Sequence, residues 1–276
     1  MSPVSALART LADQVAQIPG VVAVSLGGSH ARGNARPDSD LDLGLAYDAA
    51  HPFDLAALNA LCRDLDDSGR AQATPPGGWG PWVDGGAWLT VGGQRVDFIY
   101  RELGRVERSV EDALAGRVTL HAQPGHPHGI HGHHYAAELA TGVLLHDPAG
   151  QVERLKGRLG GYPAALAQAL ERHYAWQPGF WLDGAEKGVR RGDVHLAQGC
   201  LYQAVMALAQ TLCARERAWL LNEKGAVALA GNLPSAPQDF EMRVNAALAA
   251  LDVATVRRLA AELGADRADG DSPNVG

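Results

Sequence analysis

The sequence predicts an α/β core of the α+β kind with a mixed sheet at residues 1–147, an all-α helical bundle at 148–264, and a flexible tail at 265–276. Three observations predict this class. The chain has 276 residues, which is enough for two domains of ordinary size. Short apolar runs of strand length alternate with helical faces in the first half. The second half shows helical periodicity up to a polar end, which predicts helices and then a frayed terminus.

The first domain begins with a helix, because apolar residues recur at helical spacing over the first twenty positions: Ala6, Leu7, Leu11, Val15 and Ile18. Short apolar runs bounded by turn residues predict strands at residues 21–26, 41–46, 88–91 and 95–100. Helical faces predict helices at residues 52–66, 101–120 and from His134 onward. Residues 121–134 contain six histidines interrupted by proline and glycine, which predicts a turn-rich loop.

In the second domain, apolar faces predict helices at residues 163–176, 180–191, 194–217, 219–229 and 240–263. Pro178-Gly179 is expected to break or kink the chain between the first two. Asp193 is a suitable N-cap for the long third helix, because its carboxylate can accept from backbone N–H groups of the first turn. The last helix is expected to divide near Asp252.

Two aspartates stand two positions apart in the segment Ser39-Asp40-Leu41-Asp42-Leu43. In a strand, Asp40 and Asp42 point to the same face, about 6 to 7 Å apart at the backbone, while the leucines point to the other. Two ionised carboxylates at that distance repel by about 2 to 3 kcal/mol at an effective dielectric constant of 20. Their proximity therefore does not stabilise the fold. A bound divalent cation would explain the pair, because Mg²⁺ takes hard oxygen ligands such as carboxylates.

A glycine-rich turn precedes this pair, with the sequence Gly27-Gly28-Ser29-His30-Ala31-Arg32-Gly33. Glycine lets the backbone approach a ligand closely, and exposed N–H groups in such a turn, with the Ser29 hydroxyl, form a site for an anion. The segment is not a Walker loop, since no Gly-Lys-Ser/Thr follows, and it lacks the Gly-x-Gly-x-x-Gly of dinucleotide-binding folds. A phosphate cradle beside paired carboxylates indicates phosphoryl or nucleotidyl transfer.

Residues 26–45 resemble the signature of the DNA polymerase β-like nucleotidyltransferase superfamily, and within it the minimal nucleotidyltransferases and aminoglycoside adenylyltransferases. In that superfamily the glycine-serine turn holds the triphosphate and two aspartates hold Mg²⁺. The resemblance therefore implies catalytic and metal-binding roles for Asp40 and Asp42. The superfamily usually has a third carboxylate on a later strand, and Asp97 in Arg95-Val96-Asp97-Phe98-Ile99-Tyr100 is the matching candidate. The alternative for Asp97 is an ordinary strand aspartate on the solvent face.

This resemblance implies an enzyme that moves a nucleoside monophosphate, with AMP from ATP expected first, to a hydroxyl of a small molecule such as an aminoglycoside-like antibiotic. It implies a nucleoside triphosphate as co-substrate and Mg²⁺ as cofactor, with two ions when nucleotide is bound. Asp97 is the first candidate for the general base, directly or through a metal, and Glu102 is the second. The expected nucleotide-binding residues are Gly27, Gly28, Ser29, Arg32, Ser39 and Lys224. We expect Lys224 to reach the nucleotide in a cleft between the domains.

A second function class stays open, because minimal nucleotidyltransferases can pair with helical ribonuclease-toxin partners. The chain would then be an antitoxin or regulatory protein that modifies or binds a protein partner. Arg190 and His195 have the Arg-x4-His spacing of a ribonuclease motif, although so short a pattern often arises by chance. A nucleotide sensor without catalysis is a third alternative, which the presence of all three carboxylates disfavours.

Two further segments are each open to two interpretations. Trp79, Trp82 and Trp88 lie in or beside a loop rich in proline and glycine, and either stack on a substrate or pack the loop onto the core. The histidines of residues 121–134 either pack within a loop lining the substrate cleft or bind a transition metal. The prolines and glycines between them provide no fixed ligand geometry, which favours packing.

Composition and charge argue against several classes of protein. The chain is 46% hydrophobic and 20% charged, so it can bury a sizeable core. No run of 18 apolar residues predicts a membrane span, and the first twenty residues lack signal-peptide features, so we expect a cytoplasmic protein. Cys62, Cys200 and Cys213 lack metal-site spacing and are expected to be buried free thiols. A net charge of −7 without a basic stripe argues against nucleic acid as a partner.

Overall fold

The computed structural model describes residues 3–265 of the chain. These divide into two compact units: residues 3–112 with 132–161, here called the core unit, and residues 113–131 with 162–265, here called the helical unit. The predicted domain boundary after residue 147 stays a prediction. Of the predicted tail, only Ala265 lies within the described residues, and it is buried.

The helices and strands alternate along the first half of the chain, and helices alone follow. In chain order they are α1 Pro3–Val15, β1 Val21–Leu26, α2 Gly28–Arg32, β2 Leu41–Tyr47, α3 Leu55–Leu65, β3 Gly86–Val91, β4 Gln94–Glu102, α4 Leu103–Ala115, β5 Leu120–Gln123, β6 His126–His131, α5 His134–Thr141, β7 Val143–His146, α6 Gln151–Leu159, α7 Ala164–Tyr174, α8 Gln177–Arg191, α9 Val194–Arg215, α10 Ala226–Gly231, α11 Phe240–Ala250 and α12 Val253–Glu262.

The core unit contains a five-stranded sheet in the order β3-β4-β2-β1-β7. β2 and β4 run parallel, whereas the other neighbouring pairs are antiparallel. The sheet is therefore mixed, and the predicted fold class, a mixed-sheet core followed by a helical region, is confirmed.

The two faces of this sheet differ in character, as the alternation along its central strands predicts. One face is fully buried against α1 and α3, and its residues on β2 and β4 are Leu41, Leu43, Leu45, Val96, Phe98 and Tyr100. The residues between them on the same strands include Asp42 and Asp97, which are half-buried on the opposite face. The predicted inward direction of the leucines in the Asp-x-Asp segment is thus confirmed.

The helical unit is built around α9, which is buried along most of its 22 residues. Asp193 caps it as predicted, since its carboxylate accepts from the Leu196 N–H at 3.1 Å. Close packing of α8 on α9 depends on glycine, because a Cβ on Gly188 would lie 2.8 Å from the backbone nitrogen of Ala197. The predicted division of the last helix near Asp252 is also confirmed, with Asp252 as the N-cap of α12.

Several element predictions are wrong for identifiable reasons. The helix predicted at 101–120 begins only at Leu103, because Arg101 and Glu102 extend β4 in register with Ala46 and Tyr47. The helix predicted at 219–229 is replaced by a turn and the short α10, whose N-cap Gly225 has a φ of 71°. The glycine-rich turn at 27–33 contains α2.

The histidine-rich segment is the β5–β6 hairpin and the start of α5 rather than a loop. His128 and Ile130 alternate on the buried side of β6. Buried residues therefore recur at every second position, as in a strand. Histidine is not counted as an apolar residue, so this alternation was not recognised in the sequence.

The remaining features of the fold are the state of the cysteines and the length and polarity of the helices. Cys62, Cys200 and Cys213 are buried free thiols, as predicted. Over residues 3–265, the helices are each too short or too polar to cross a lipid bilayer.

Candidate functional site

Strand register brings two of the three predicted carboxylates side by side. Asp42 on β2 is the direct partner of Asp97 on β4, and Asp97 is in turn the direct partner of Trp88 on β3. Partners in direct register point to the same face of a sheet. Asp42, Asp97 and Trp88 therefore form a row across three strands, on the face opposite the buried leucines.

The glycine-rich segment packs directly against this row. The Gly27 N–H donates to the Asp42 carbonyl at 2.9 Å. Gly28 has a φ of +61°, and a Cβ placed on it would lie only 1.8 Å from Asp42 Oδ2. The first N–H groups of a helix have no partners within the helix, and α2 starts here, so backbone donors lie beside the Asp42 carboxylate. The structure thus requires glycine at position 28 for both conformation and space.

Asp40 lies at the end of a loop that strand β4 holds in place. Arg95 Nε is 2.7 Å from Asp40 Oδ1, and an Arg95 Nη donates to the Asp38 carbonyl at 2.8 Å. Gln94 donates to the Ser39 carbonyl at 3.0 Å. The Arg95 contact is a charge contact without hydrogen-bond alignment, because Asp40 Oδ1 is a buried oxygen that lacks an aligned donor. In this structure Asp40 Oδ1 is therefore paired with the Arg95 charge, and a metal ion would have to displace that contact.

A metal site is not assembled among the described residues. Within residues 3–265, no group of three or more His, Cys, Asp or Glu side chains is arranged to hold an ion. The donor set nevertheless suits Mg²⁺, since it consists of carboxylate oxygens only. Asp40 would exchange its contact with Arg95 for the ion. Metal binding by Asp40, Asp42 and Asp97 stays a prediction.

An open groove of about 450 Å³ adjoins this row on the β3 side, and Asp40, Asp97, Arg95, Arg70 and Trp88 are among its lining residues. The Trp88 side chain is 66% exposed and stacks on Trp79 with ring centres 4.5 Å apart. Trp79 packs over Gly86, where a Cβ would lie 2.8 Å from its ring. Trp79 therefore packs the loop onto the sheet, as one interpretation expects, whereas stacking of a tryptophan on a substrate stays a prediction, for which Trp88 is placed at the groove.

A half-buried ion pair on the same face was not predicted from the sequence. Arg101 donates to both carboxylate oxygens of Glu138, at 2.6 and 2.7 Å, and His134 Nε2 lies 3.2 Å from that carboxylate. Burial opposes the Arg101 charge, but Glu138 and, more weakly, Asp42 favour it and raise the pKa of Arg101. Strand alternation places Arg101 on the Asp97 face, so extending the predicted strand 95–100 by one residue would have found it.

Replacing Glu138 by glutamine is expected to lower the free energy of unfolding by about 3 kcal/mol at pH 7, because the charge of Arg101 would stay in place without its partner. Burial disfavours the Glu138 carboxylate, yet Arg101 and His134 outweigh it and hold the pKa of Glu138 well below its ordinary value of 4.5. The stabilisation is therefore complete above about pH 4.5 and is lost as the pH falls toward the folded-state pKa.

Thermal unfolding of wild type and Glu138→Gln between pH 7 and pH 3 measures this difference. Glu107→Gln is the matched control, because Glu107 pairs with Arg158 at 2.8 Å but is 52% exposed, and such pairs contribute less than about 1 kcal/mol. Equal effects of the two variants would show that the Arg101–Glu138 pair has no special role.

The other predicted residues occupy distinct environments. Arg32 is exposed and its Nε donates to the Gly28 carbonyl at 3.2 Å, so it lies on the glycine segment. The Ser39 hydroxyl accepts from the Arg36 N–H at 2.8 Å and so stabilises the loop. Glu102 accepts from the Gly104 and Arg105 N–H groups and thereby caps α4, which disfavours it as a general base. Lys224 is exposed in the helical unit, and its contact with nucleotide stays a prediction.

Comparison with known proteins matches the first part of the chain to a protein family. Residues 8–73 match the nucleotidyltransferase domain family, and the match includes the glycine-rich segment, Asp40 and Asp42. The resemblance to nucleotidyltransferases is thereby confirmed over these residues. A nucleotidyltransferase-like protein from Exiguobacterium sibiricum 255-15 is similar in structure, with 12% identity, 94% of this chain and 75% of that chain covered, and a TM-score of 0.38. A likeness at that level supports no inference about function. Curated protein sequences gave no match.

Proposed function

We propose that this nucleotidyltransferase transfers a nucleoside monophosphate, AMP first, from a Mg²⁺-bound triphosphate to a hydroxyl of a small molecule. The observation that carries the proposal is the direct register of Asp42 and Asp97 beside the Gly28 backbone. The paired carboxylates would bind a cation, and the neighbouring backbone N–H groups would bind an anion. Both sites are close enough together to be occupied by one metal-bound nucleotide.

Asp40, Asp42 and Asp97 would hold the metal. In the segment Gly27-Gly28-Ser29, the N–H groups of Gly28 and Ser29 would hold the triphosphate, because the Gly27 N–H already donates to the Asp42 carbonyl. Bound Mg²⁺ would neutralise phosphate charge and orient the reacting groups. Arg32 is exposed on the same segment and is suited to contact the outer phosphates. Asp97 is the candidate to accept the proton of the attacking hydroxyl.

The order of strands suggests where the acceptor binds. In nucleotidyl transfer the attacking and leaving oxygens lie roughly in line on opposite sides of the phosphorus. The glycine segment follows β1, on one side of Asp42, whereas Asp97 and the groove lie toward β3, on the other. Pyrophosphate leaving along the glycine segment therefore places the acceptor hydroxyl in the groove, beside Asp97.

The groove also suggests the kind of acceptor. Its wall includes the exposed Trp88 indole, and such a ring stacks on flat or ring-shaped molecules. Asp97 and Asp40 line it together with Arg70 and Arg95, so charges of both signs are available. These features support a polar, ring-containing hydroxyl compound, a class that includes aminoglycoside-like antibiotics.

A transfer screen tests the proposal. The purified chain is incubated with ATP, CTP, GTP or UTP and a panel of hydroxylated ring compounds, including aminoglycosides, with Mg²⁺ or with a chelator. Mass spectrometry is expected to show one acceptor gaining the mass of a nucleoside monophosphate, from ATP first, only with Mg²⁺. Product formed equally in chelator would contradict metal-dependent transfer. Labelling of a protein instead of a small molecule would favour the regulatory alternative.

A further inference from the structure

A cluster of polar and aromatic side chains inside the helical unit takes no part in the proposed reaction. It combines His126 and His128 of β6, Tyr202 and Gln203 of α9, and Glu223 of the turn before α10. These residues are distant in sequence, so the fold brings them together.

His128 is the most buried member, with 7% of its surface exposed. Its Nδ1 lies 3.2 Å from Gln203 Oε1, an acceptor, so Nδ1 carries the hydrogen and Nε2 presents a lone pair. Burial lowers the pKa of His128, which keeps the ring neutral near pH 7. His128 Nε2 is buried and has no hydrogen-bond partner.

Glu223 supplies a second unsatisfied acceptor. Its Oε1 lies 3.6 Å from His126 Nδ1, whereas its Oε2 is buried and has no partner. His126 and His128 are two positions apart on β6, so their side chains lie on the same side of the strand, and the carboxylate that contacts His126 lies on that side too. The Tyr202 ring is centred 6.5 Å from the His128 ring. The Tyr202 hydroxyl is likewise buried without a partner. Buried polar atoms without partners are rare in folded proteins, and three of them in one cluster, one on the carboxylate and two on its neighbours, call for a missing group.

The chemistry of these atoms defines that group. His128 Nε2 and Glu223 Oε2 only accept hydrogen bonds, and the Tyr202 hydroxyl can do so, so the missing group carries several donor hydrogens. Glu223 favours a positive charge. The aromatic rings of Tyr202 and Tyr174, centred 6.5 and 6.0 Å from the His128 ring, add faces that attract cations.

We propose that Glu223, His128 and Tyr202 form a binding site for the protonated primary amine of a small-molecule ligand. The three N–H donors of such an amine match the three unsatisfied atoms. The proposal does not rest on the nucleotidyl transfer proposed above, because every residue involved belongs to the helical unit.

Thermal unfolding of the full chain in methylammonium chloride, compared with tetramethylammonium chloride at equal concentration, tests the site. The two ions have the same charge, but only methylammonium donates N–H hydrogen bonds. At a tenfold excess over Kd, methylammonium is expected to raise Tm by about 3 °C more than tetramethylammonium.

Glu223→Gln is expected to abolish that difference without lowering the Tm of the ligand-free protein, because the new amide N–H groups can donate to the neighbouring acceptors. Glu241→Gln, an exposed acid of α11, is the matched control and should respond like wild type. If Glu223→Gln does not fold, Tyr202→Phe keeps the ring and is expected to weaken methylammonium binding about tenfold.

Equal shifts from the two ions in wild type, or no shift from either, would overturn the proposal and leave ordered water as the partner of these atoms. An undiminished methylammonium effect in Glu223→Gln would overturn it as well.

Discussion

Replacing Asp42 by asparagine is expected to lower the rate of nucleotidyl transfer about 1000-fold while the chain stays folded. Asparagine keeps the size of the side chain and leaves the Gly27 N–H bond to the Asp42 backbone carbonyl intact. It removes the charge that would bind the metal, and loss of about 4 kcal/mol of transition-state stabilisation corresponds to this factor. Initial rates with the acceptor found in the transfer screen measure the effect, and thermal unfolding checks the fold.

Asp38→Asn is the matched control for this variant. Asp38 is exposed in the same loop, and its contact with Arg95 is made by its backbone carbonyl, which the substitution does not change. It should retain nearly full activity. A rate for Asp42→Asn within about threefold of that of Asp38→Asn would show that Asp42 has no catalytic role.

Gly28→Ala is expected to lower activity by at least about 100-fold. The new Cβ would lie 1.8 Å from Asp42 Oδ2 and 2.8 Å from its Cγ, so either the carboxylate or the glycine segment must move. Displacement of a reacting group by about 1 Å can cost a factor of 100 in rate. The positive φ adds about 1 to 2 kcal/mol of backbone strain, which thermal unfolding measures.

Gly33→Ala separates the clash from the strain. Gly33 has a φ of +73° but no atom within 4 Å of a Cβ, so this variant should lose stability to a similar extent and keep most of its activity. Equal loss of activity in the two variants would mean that backbone strain, rather than contact with Asp42, accounts for the effect.

The sequence predicts those parts of the site that depend on patterns within a few neighbouring residues, and not those that depend on contacts between distant segments. The strand carrying Asp42 and the strand carrying Asp97 were both predicted, because alternation over a few residues is a local signal. Their direct register is set by the packing of the sheet as a whole, and no local pattern contains it. Arg95 beside Asp40 likewise depends on β2 and β4 being neighbours.

The residues that were not predicted meet partners from distant parts of the chain. Arg101 was assigned to a helix because its strand was ended too early, and Glu138 lies on a separate helix with no pattern linking it to Arg101. His128 and Glu223 are 95 positions apart in sequence, and only the packing of the hairpin in the helical unit brings them together.

We propose that Asp40, Asp42 and Asp97 bind nucleotide through Mg²⁺. Calorimetric titration of ATP into wild type and Asp42→Asn, each with Mg²⁺ and with a chelator, tests this proposal. Mg²⁺ is expected to strengthen ATP binding to wild type at least about tenfold and to have no effect on binding to Asp42→Asn, since the loss of one carboxylate ligand removes the ion. The same Mg²⁺-dependent affinity in both proteins would contradict the claim.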